Sequence, residues 1–467
     1  MLKEFDQDTI AAISTPLGEG GIGVIRLSGA EAITIADQVF QSAKKLLVKK
    51  QPSFTAQRGY IVVKKNSGKA EKIDEVLVLL MRAPKSYTCE DVVEISAHGG
   101  RAVLKAILDL LIRHGARLAA KGEFTKRAFL NGRIDLLQAE AVLDLVKAKT
   151  ELGRRWATAQ LEGVLSLQVK AMNTELVNIL SHLEASIDFP EDSIEPKSLS
   201  AMENQLRSIE EQLSGLLSGA SVGFIAKNGL KVVIAGRPNV GKSSLMNRMA
   251  RVNRVIVTPY AGTTRDAVEE EIQIQGFPVR LVDTAGIQES DHPIEKEGIE
   301  RSKAAVAASD VVLYVMDSSQ AWNLEDEALF RELEDKQKIL VLNKSDLPCR
   351  LDKDRIKPWS SHAPIIETSC ITDKGLQTLE NEIVSLITHG KAQLSEEAVV
   401  NSVRQKDLLE KALLNVKDAR NALHSGLSEE LVAVDVRLTL DHLGALVGEV
   451  VTEDILDALF SQFCIGK

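Results

Sequence analysis

Between Gly236 and Ser243 the sequence reads GRPNVGKS, which fits the pattern G-x-x-x-x-G-K-[ST]. A loop of this kind, set between a strand and a helix, turns backbone N–H groups toward phosphate oxygens; Lys242 reaches the β and γ oxygens and Ser243 offers its hydroxyl to Mg2+. Asn239, Val240, Gly241 and Ser244 complete the cradle. The runs KVVIA before it and SSLMNRM after it read as the required strand and helix. Two further stretches define the rest of the site. DTAG (Asp283, Thr284, Ala285, Gly286) ends a strand where a metal-linked acid and a γ-phosphate sensor belong, and NKSD, with Asn343, Lys344 and Asp346, ends another. Asp346 can accept the N1 and N2 hydrogens of guanine, which adenine does not offer, so the expected nucleotide is GTP.

In order and spacing these motifs resemble the translation-factor-related class of P-loop GTPases. Hydrolysis needs a group that orients water and a cation that offsets charge on the transferring phosphoryl, roles filled in Ras-type proteins by Gln and Arg. Here Ile287 follows DTAG, so another device must replace the glutamine. Asn239 and the stretch VTPYAGTTRD, Val257 to Asp266, offer oxygen ligands for a monovalent cation beside the phosphates. A K+ there would take an arginine's place.

Around these motifs the texture of the chain changes. Residues 1–120 read as short β-rich alternations with some helix, including TIAAIST, GVIRLSG, YIVVKK and DEVLVLLM. Residues 121–219 carry apolar residues at helical spacing, as in LLQAEAVLDLVKAKT and NTELVNILSHLEASI. Over 220–387, strand-like runs alternate with helices, the pattern of a mostly parallel sheet covered on both faces. Residues 388–467 return to helix. The expected fold is therefore multidomain: an N-terminal α+β domain, a helical domain, and an α/β domain carrying the phosphate loop inserted into it.

The composition narrows the functional classes. A chain of 467 residues with 44% hydrophobic content is long enough for about three domains with cores of their own. Cys89, Cys349, Cys370 and Cys464 form no C-x-x-C pair, which points away from a zinc site or a disulfide framework and toward a reducing cytoplasm. The acidic start MLKEFDQDTI does not read as a targeting segment, and no apolar run suits a membrane span. A net charge of -9 argues against a protein that grips nucleic acid alone, so an RNA substrate would be held with a partner's help. Gly18 to Gly23, GEGGIG, satisfies G-x-G-x-x-G, but a strand follows where a dinucleotide fingerprint needs a helix. His98 to Gly100, HGG, reads as a turn. The final CIGK fails the prenylation pattern at Gly466 and Lys467.

End to end, the chain resembles the MnmE (TrmE) family of tRNA-modifying GTPases. The resemblance rests on GEGGIGVIRLSG, on GEFTKRAFLNGRIDLLQAEAV from Gly122 to Val142, on GRPNVGKSSL with AGTTRD, and on the terminal CIGK. It implies a folate-binding N-terminal domain that forms a homodimer, a helical domain and an inserted Ras-like domain. It also implies a flavoprotein partner, MnmG, which carries FAD and joins in a heterotetramer. Together they would use a one-carbon unit from 5,10-methylene-tetrahydrofolate to build an aminomethyl-type group, such as carboxymethylaminomethyl, on C5 of wobble uridine 34 in certain tRNAs. By the same resemblance K+ is held by Asn239, Thr258, Tyr260 (through its carbonyl) and Thr263, and Mg2+ by Ser243 and Thr264, while Glu295 positions the attacking water. Arg26, Glu94, Arg133 and Lys467 fall on the positions that bind the folate, as the methylene or 5-formyl derivative; Arg133 stands where lysine is common. Cys464 is placed near the pterin as a reactive thiol. Two other readings compete with it: a ribosome-assembly GTPase acting as an RNA-binding switch, against which the helical, acidic tail argues, and a folate-binding scaffold with a vestigial GTPase, against which the intact nucleotide motifs argue.

Overall fold

The structure, a computed structural model, describes residues 8–64, 70–188, 196–253, 269–283, 303–333, 335–356, 359, 363–388 and 399–467. They fall into two compact units, Met1–Leu143 with Leu161–Thr174 and Leu440–Lys467, and Asp144–Gln160 with Glu175–Thr439. The helical stretches read from the sequence are thus shared between both units. No helix among the described residues is long and apolar enough to cross a membrane.

The first unit is built on β1 (Ile10–Ile13), β2 (Gly23–Ser28), α1 (Ala32–Val39), β3 (Phe40–Ser42), β4 (Thr55–Lys64), β5 (Ala70–Met81), β6 (Val92–Ala97), α2 (Arg101–Arg113), β7 (Arg117–Leu118), α3 (Glu123–Leu130) and α4 (Leu136–Lys147), the last of which runs on into the second unit. The strands pair in the order β3-β4-β5-β6-β2-β1-β7, antiparallel except for the β1–β7 pair. Strand periodicity decides what each face holds. Ile25, Leu27, Val93 and Ile95 share a core with Ala36, Leu104 and Ile107 of α1 and α2. The residues between them, Arg26 and Glu94, therefore project from the opposite face, where Ile10, Ala12 and Phe124 form a smaller cluster flanked by Tyr87. On α4, Leu136, Ala139 and Leu143 pack with Leu456, Phe460 and Phe463, so the helix Glu453–Phe460 brings the residues after it to this sheet.

The second unit contains α5 (Glu151–Leu161), most of α6 (Val164–Asp188), α7 (Pro196–Ser218), α8 (Ala220–Asn228) and the helix Val403–His424. That last helix lies along α7, with an ion pair between Arg420 and Glu210 at 2.8 Å. Within the same unit stand β8 (Leu230–Ala235), α9 (Lys242–Asn253), β9 (Glu269–Ile274), β10 (Phe277–Asp283), β11 (Val311–Asp317), the helix Leu324–Glu332, β12 (Lys338–Asn343), β13 (Ile365–Glu367) and the helix Leu376–Thr388. Strand order is β13-β12-β11-β8-β10-β9, parallel throughout except that β9 is antiparallel to β10. Every residue of β11 is buried because the sheet is covered on both faces. Val311, Leu313 and Val315 enter one core, while Val312, Tyr314 and Met316 enter the other.

The GEGGIG stretch is a loop whose last glycine, Gly23, begins β2, so a strand follows it, and Gly99 of HGG lies against the Gly20 backbone in the lead-in to α2.

Leu313 is fully buried in the central part of this sheet. Leu313→Ala leaves a cavity and is expected to destabilise the unit by about 2–5 kcal/mol. A urea melt followed by circular dichroism should show the transition shifted to lower denaturant; an unchanged midpoint contradicts the packing described.

Candidate functional site

Parallel strands deliver their C-terminal ends to one edge of the sheet, the usual place for a ligand in an α/β fold. Here β8 runs into the loop from Gly236, and α9 begins at Lys242. Lys242 is buried, and its Nζ donates to the carbonyls of Gly236 (2.9 Å) and Arg237 (2.8 Å). Burial lowers its pKa below the ordinary lysine value, against an opposing pull from Asp283. Ser243 Oγ donates to Asp283 Oδ2 at 2.5 Å, so the hydroxyl and carboxylate expected beside Mg2+ meet. Both are hard oxygen donors of the kind that ion takes. Ser244 is exposed on the first turn of α9.

The NKSD stretch at the end of β12 holds this loop in shape. Asn343 Nδ2 donates to the Val240 carbonyl at 3.0 Å, and Lys344 Nζ donates to the Asn239 carbonyl at 3.0 Å. Gly241 has φ +96°, and a Cβ there would run into the Asn343 amide nitrogen, so this position requires glycine. Asp346 is exposed at the rim, with Oδ1 accepting a hydrogen bond from Ser369 Oγ at 2.6 Å.

Thr258, Tyr260, Thr263, Thr264, Thr284, Ala285, Gly286 and Glu295 lie outside the described residues. Of the expected K+ ligands, Asn239 alone is described; it is exposed and left-handed, at φ +62°.

Sequence reasoning passed over two residues of this site. Asp317, at the end of β11, accepts Lys344 Nζ at 2.6 Å and the Ser319 hydroxyl at 2.6 Å. Burial opposes its ionisation, but the hydrogen bonds from Lys344 and Ser319 outweigh that and hold its carboxyl below the usual range. Ser369, fully buried beyond β13, orients Asp346. For Asp317 the available signal was an acid ending a buried parallel strand; Ser369, two residues past the partly exposed β13, had no comparable signal.

A second cluster belongs to the first unit. Arg26 and Glu94 are direct partners across β2 and β6, with Arg26 Nε donating to Glu94 Oε1 at 2.8 Å. The Arg26 guanidinium lies 5.3 Å from the Tyr87 ring centre and 5.6 Å from that of Phe124. Arg133 lies 4.9 Å from the Tyr87 centre and donates from Nη1 to the Tyr87 carbonyl at 2.7 Å. The segment Cys464–Lys467 is tied to the same place through backbone. Phe124 N–H donates to the Lys467 carbonyl at 3.2 Å, Gly122 N–H donates to the Cys464 carbonyl at 3.3 Å, and Lys121 bridges Ile465. Gly466 has φ +94°, and a Cβ would collide with the Ile13 carbonyl, so only glycine allows this approach. Arg26, Glu94, Arg133 and Lys467 are thus gathered around Tyr87 and Phe124, whereas the Cys464 side chain faces solvent. Among the described residues no group of three or more His, Cys, Asp or Glu is placed to hold a metal.

Comparison with known proteins covers almost the whole chain. Residues 9–133 match the family model described as the GTP-binding protein TrmE N-terminus, and residues 136–464 match the MnmE helical domain. The tRNA modification GTPase MnmE of Thermoanaerobacter pseudethanolicus is 44% identical over 460 residues, 98% of this chain and 99% of that protein. Its namesake from Geobacillus kaustophilus is 44% identical over 467 residues, 100% of each. The solved structure of a variant of Aquifex aeolicus Era bound to GDP.AlF4- is 26% identical over 40% of this chain and 67% of that one, with a TM-score of 0.26, too low to carry weight here. An identity of 44% along the full length, with both family models in register, establishes that this chain belongs to the MnmE family of tRNA modification GTPases.

Proposed function

We propose that the protein is a K+-dependent GTPase that, with an MnmG-type flavoprotein, installs an aminomethyl-type substituent on C5 of wobble uridine in certain tRNAs. The carbon comes from 5,10-methylene-tetrahydrofolate bound at the first unit. The observation that carries this reading is the gathering of Arg26, Glu94, Arg133 and Lys467 around two aromatic rings, in a chain that also holds an assembled phosphate loop. A pterin offers a planar hydrogen-bonding edge to Glu94, and the glutamyl carboxylates suit the guanidinium groups, which pair carboxylates through two parallel donors. GTP hydrolysis supplies the drive. Asp346 selects guanine, Ser243 with Thr264 holds Mg2+, Glu295 orients water, and a K+ beside Asn239 offsets transition-state charge where a Ras-type protein uses arginine.

The family fixes GTP hydrolysis and a tRNA connection only broadly; one measurement tests the cation, and a second, through the modified nucleoside, separates this reading from a ribosome-assembly switch. GTP hydrolysis should run several-fold faster in KCl than in NaCl at equal ionic strength, and Asn239→Ala should remove the difference. Equal rates of the wild-type protein in both salts would take the cation out of the mechanism.

The second measurement concerns the tail. Deleting Cys464 to Lys467 should weaken binding of 5-formyl-tetrahydrofolate and leave GTP hydrolysis nearly intact, since none of these residues belongs to the nucleotide site. Cys464→Ser should spare hydrolysis while lowering C5-substituted wobble uridine, read by mass spectrometry of tRNA nucleosides from complemented cells. Full folate binding and full modification by the truncated chain would make the tail a packing element only.

A further inference from the structure

The phosphate-loop pattern leaves its second position free, and here that position is Arg237. Its side chain is turned inward, 16% exposed, and Nε donates to Asp326 Oδ1 at 2.6 Å. Asp326 is fully buried in the first turn of the helix Leu324–Glu332. Its Oδ2 accepts the Asn323 N–H at 3.3 Å as part of that helix's capping box, and its carbonyl accepts the Tyr314 hydroxyl at 3.1 Å. Burial, and then the Asp326 charge, raise the Tyr314 pKa, so the hydroxyl remains a donor. A fully enclosed carboxylate is expensive unless it is paired and hydrogen-bonded, and Asp326 has both kinds of partner.

What distinguishes this ion pair from a fastening between helix and sheet is the backbone it holds. The Arg237 carbonyl, with that of Gly236, receives the Lys242 ammonium. Two residues on, Asn239 takes its left-handed conformation, with its carbonyl held from the other side by Lys344. The loop between Gly236 and Gly241 is therefore pinned at both ends, by Asp326 through Arg237 and by Asn343 and Lys344. The second of these ties comes from a recognised guanine-site motif. The first comes from a carboxylate 89 residues away that no motif contains.

We propose that Asp326 is a positioning residue for GTP hydrolysis, acting through Arg237 to fix the peptides that seat Lys242 and set the placement of Asn239. Ground-state binding draws on many contacts, with backbone N–H groups on the phosphates and Asp346 on the base. Alignment of Lys242 and Asn239 on the transferring phosphoryl matters most in the transition state, so a loosened loop should lose turnover before it loses affinity. The inference rests on the reading of this loop as a GTP-hydrolysing site.

The test uses the full chain, with GTP as substrate and GDP as binding probe. Asp326→Asn keeps the side chain's shape and removes its charge; Arg237→Ala removes the other partner, and the double variant joins them. Each single variant should lower kcat about tenfold to a hundredfold, the range a small misplacement produces. KM for GTP and Kd for GDP should shift less than about threefold in each, the mark of an interaction used in the transition state. The double variant should be no slower than the slower single one, because both act through one contact, and Arg237→Lys should recover part of the rate. If Asp326→Asn does not fold, Arg237→Ala carries the same readout alone. Unchanged kcat in the singles, kcat and GDP affinity lost together, or a double-variant loss equal to the product of the single losses would each overturn the proposal. A wild-type chain that hydrolyses GTP keeps the GTPase reading even when the variants fail it; a wild-type chain that does not removes both.

Discussion

A phosphate loop must converge backbone N–H groups on one point, and the peptides that do so adopt conformations an unrestrained chain avoids. Asn239 and Gly241 are left-handed, and so is Lys344, which is bonded across to Asn239. For a residue with a Cβ that conformation costs about 1–2 kcal/mol, and it persists only where surrounding contacts enforce it. The second unit supplies those contacts from the ends of its parallel strands. Asn343 and Lys344 at the end of β12 hold Val240 and Asn239, while Asp317 at the end of β11 holds the Lys344 ammonium. The fully buried strands behind them give these groups a fixed base.

The first unit solves a different problem, presenting charge and flat aromatic surface together on a half-buried sheet. Alternation along β2 and β6 buries Ile25, Leu27, Val93 and Ile95 and turns Arg26 and Glu94 outward as a pair. The Tyr87 and Phe124 rings flank the Arg26 guanidinium, and the Phe124 N–H is also what holds the Lys467 carbonyl. A guanidinium stacked on rings gives up less orientational freedom when it meets a planar ligand. The folate proposed for this cluster has the shape and charge to use both features.

Much of this was legible in the sequence because it is local. The strand ahead of GRPNVGKS, the helix after it, and the strand ends at Asp283 and Asn343 follow from hydrophobic pattern and motif spacing. Antiparallel β9 is harder to read, since its run EEEIQI is half charged and is recognisable as an edge strand only once β10 pairs with it. The contacts that position the site are the least legible. Arg237 and Asp326 meet across 89 positions, and Asp326 looks in sequence like an ordinary acid at a helix start. The docking of Gly466 against Ile13 joins the two extremes of the chain, and a terminal CIGK carries no local signal of where it packs. Only the family resemblance pointed to that place.

If GTP turnover at the assembled phosphate loop drives a folate-dependent modification of tRNA carried out elsewhere in the protein, disabling the loop alone should abolish the product. The decisive measurement is the wobble-uridine content of tRNA, by mass spectrometry, in cells whose only copy of this protein carries Lys242→Ala, with folate binding by the purified variant measured alongside. Folate binding should persist while C5-substituted wobble uridine is lost. Normal levels of the modified nucleoside in those cells, with GTP hydrolysis abolished in the purified variant, would refute the coupling.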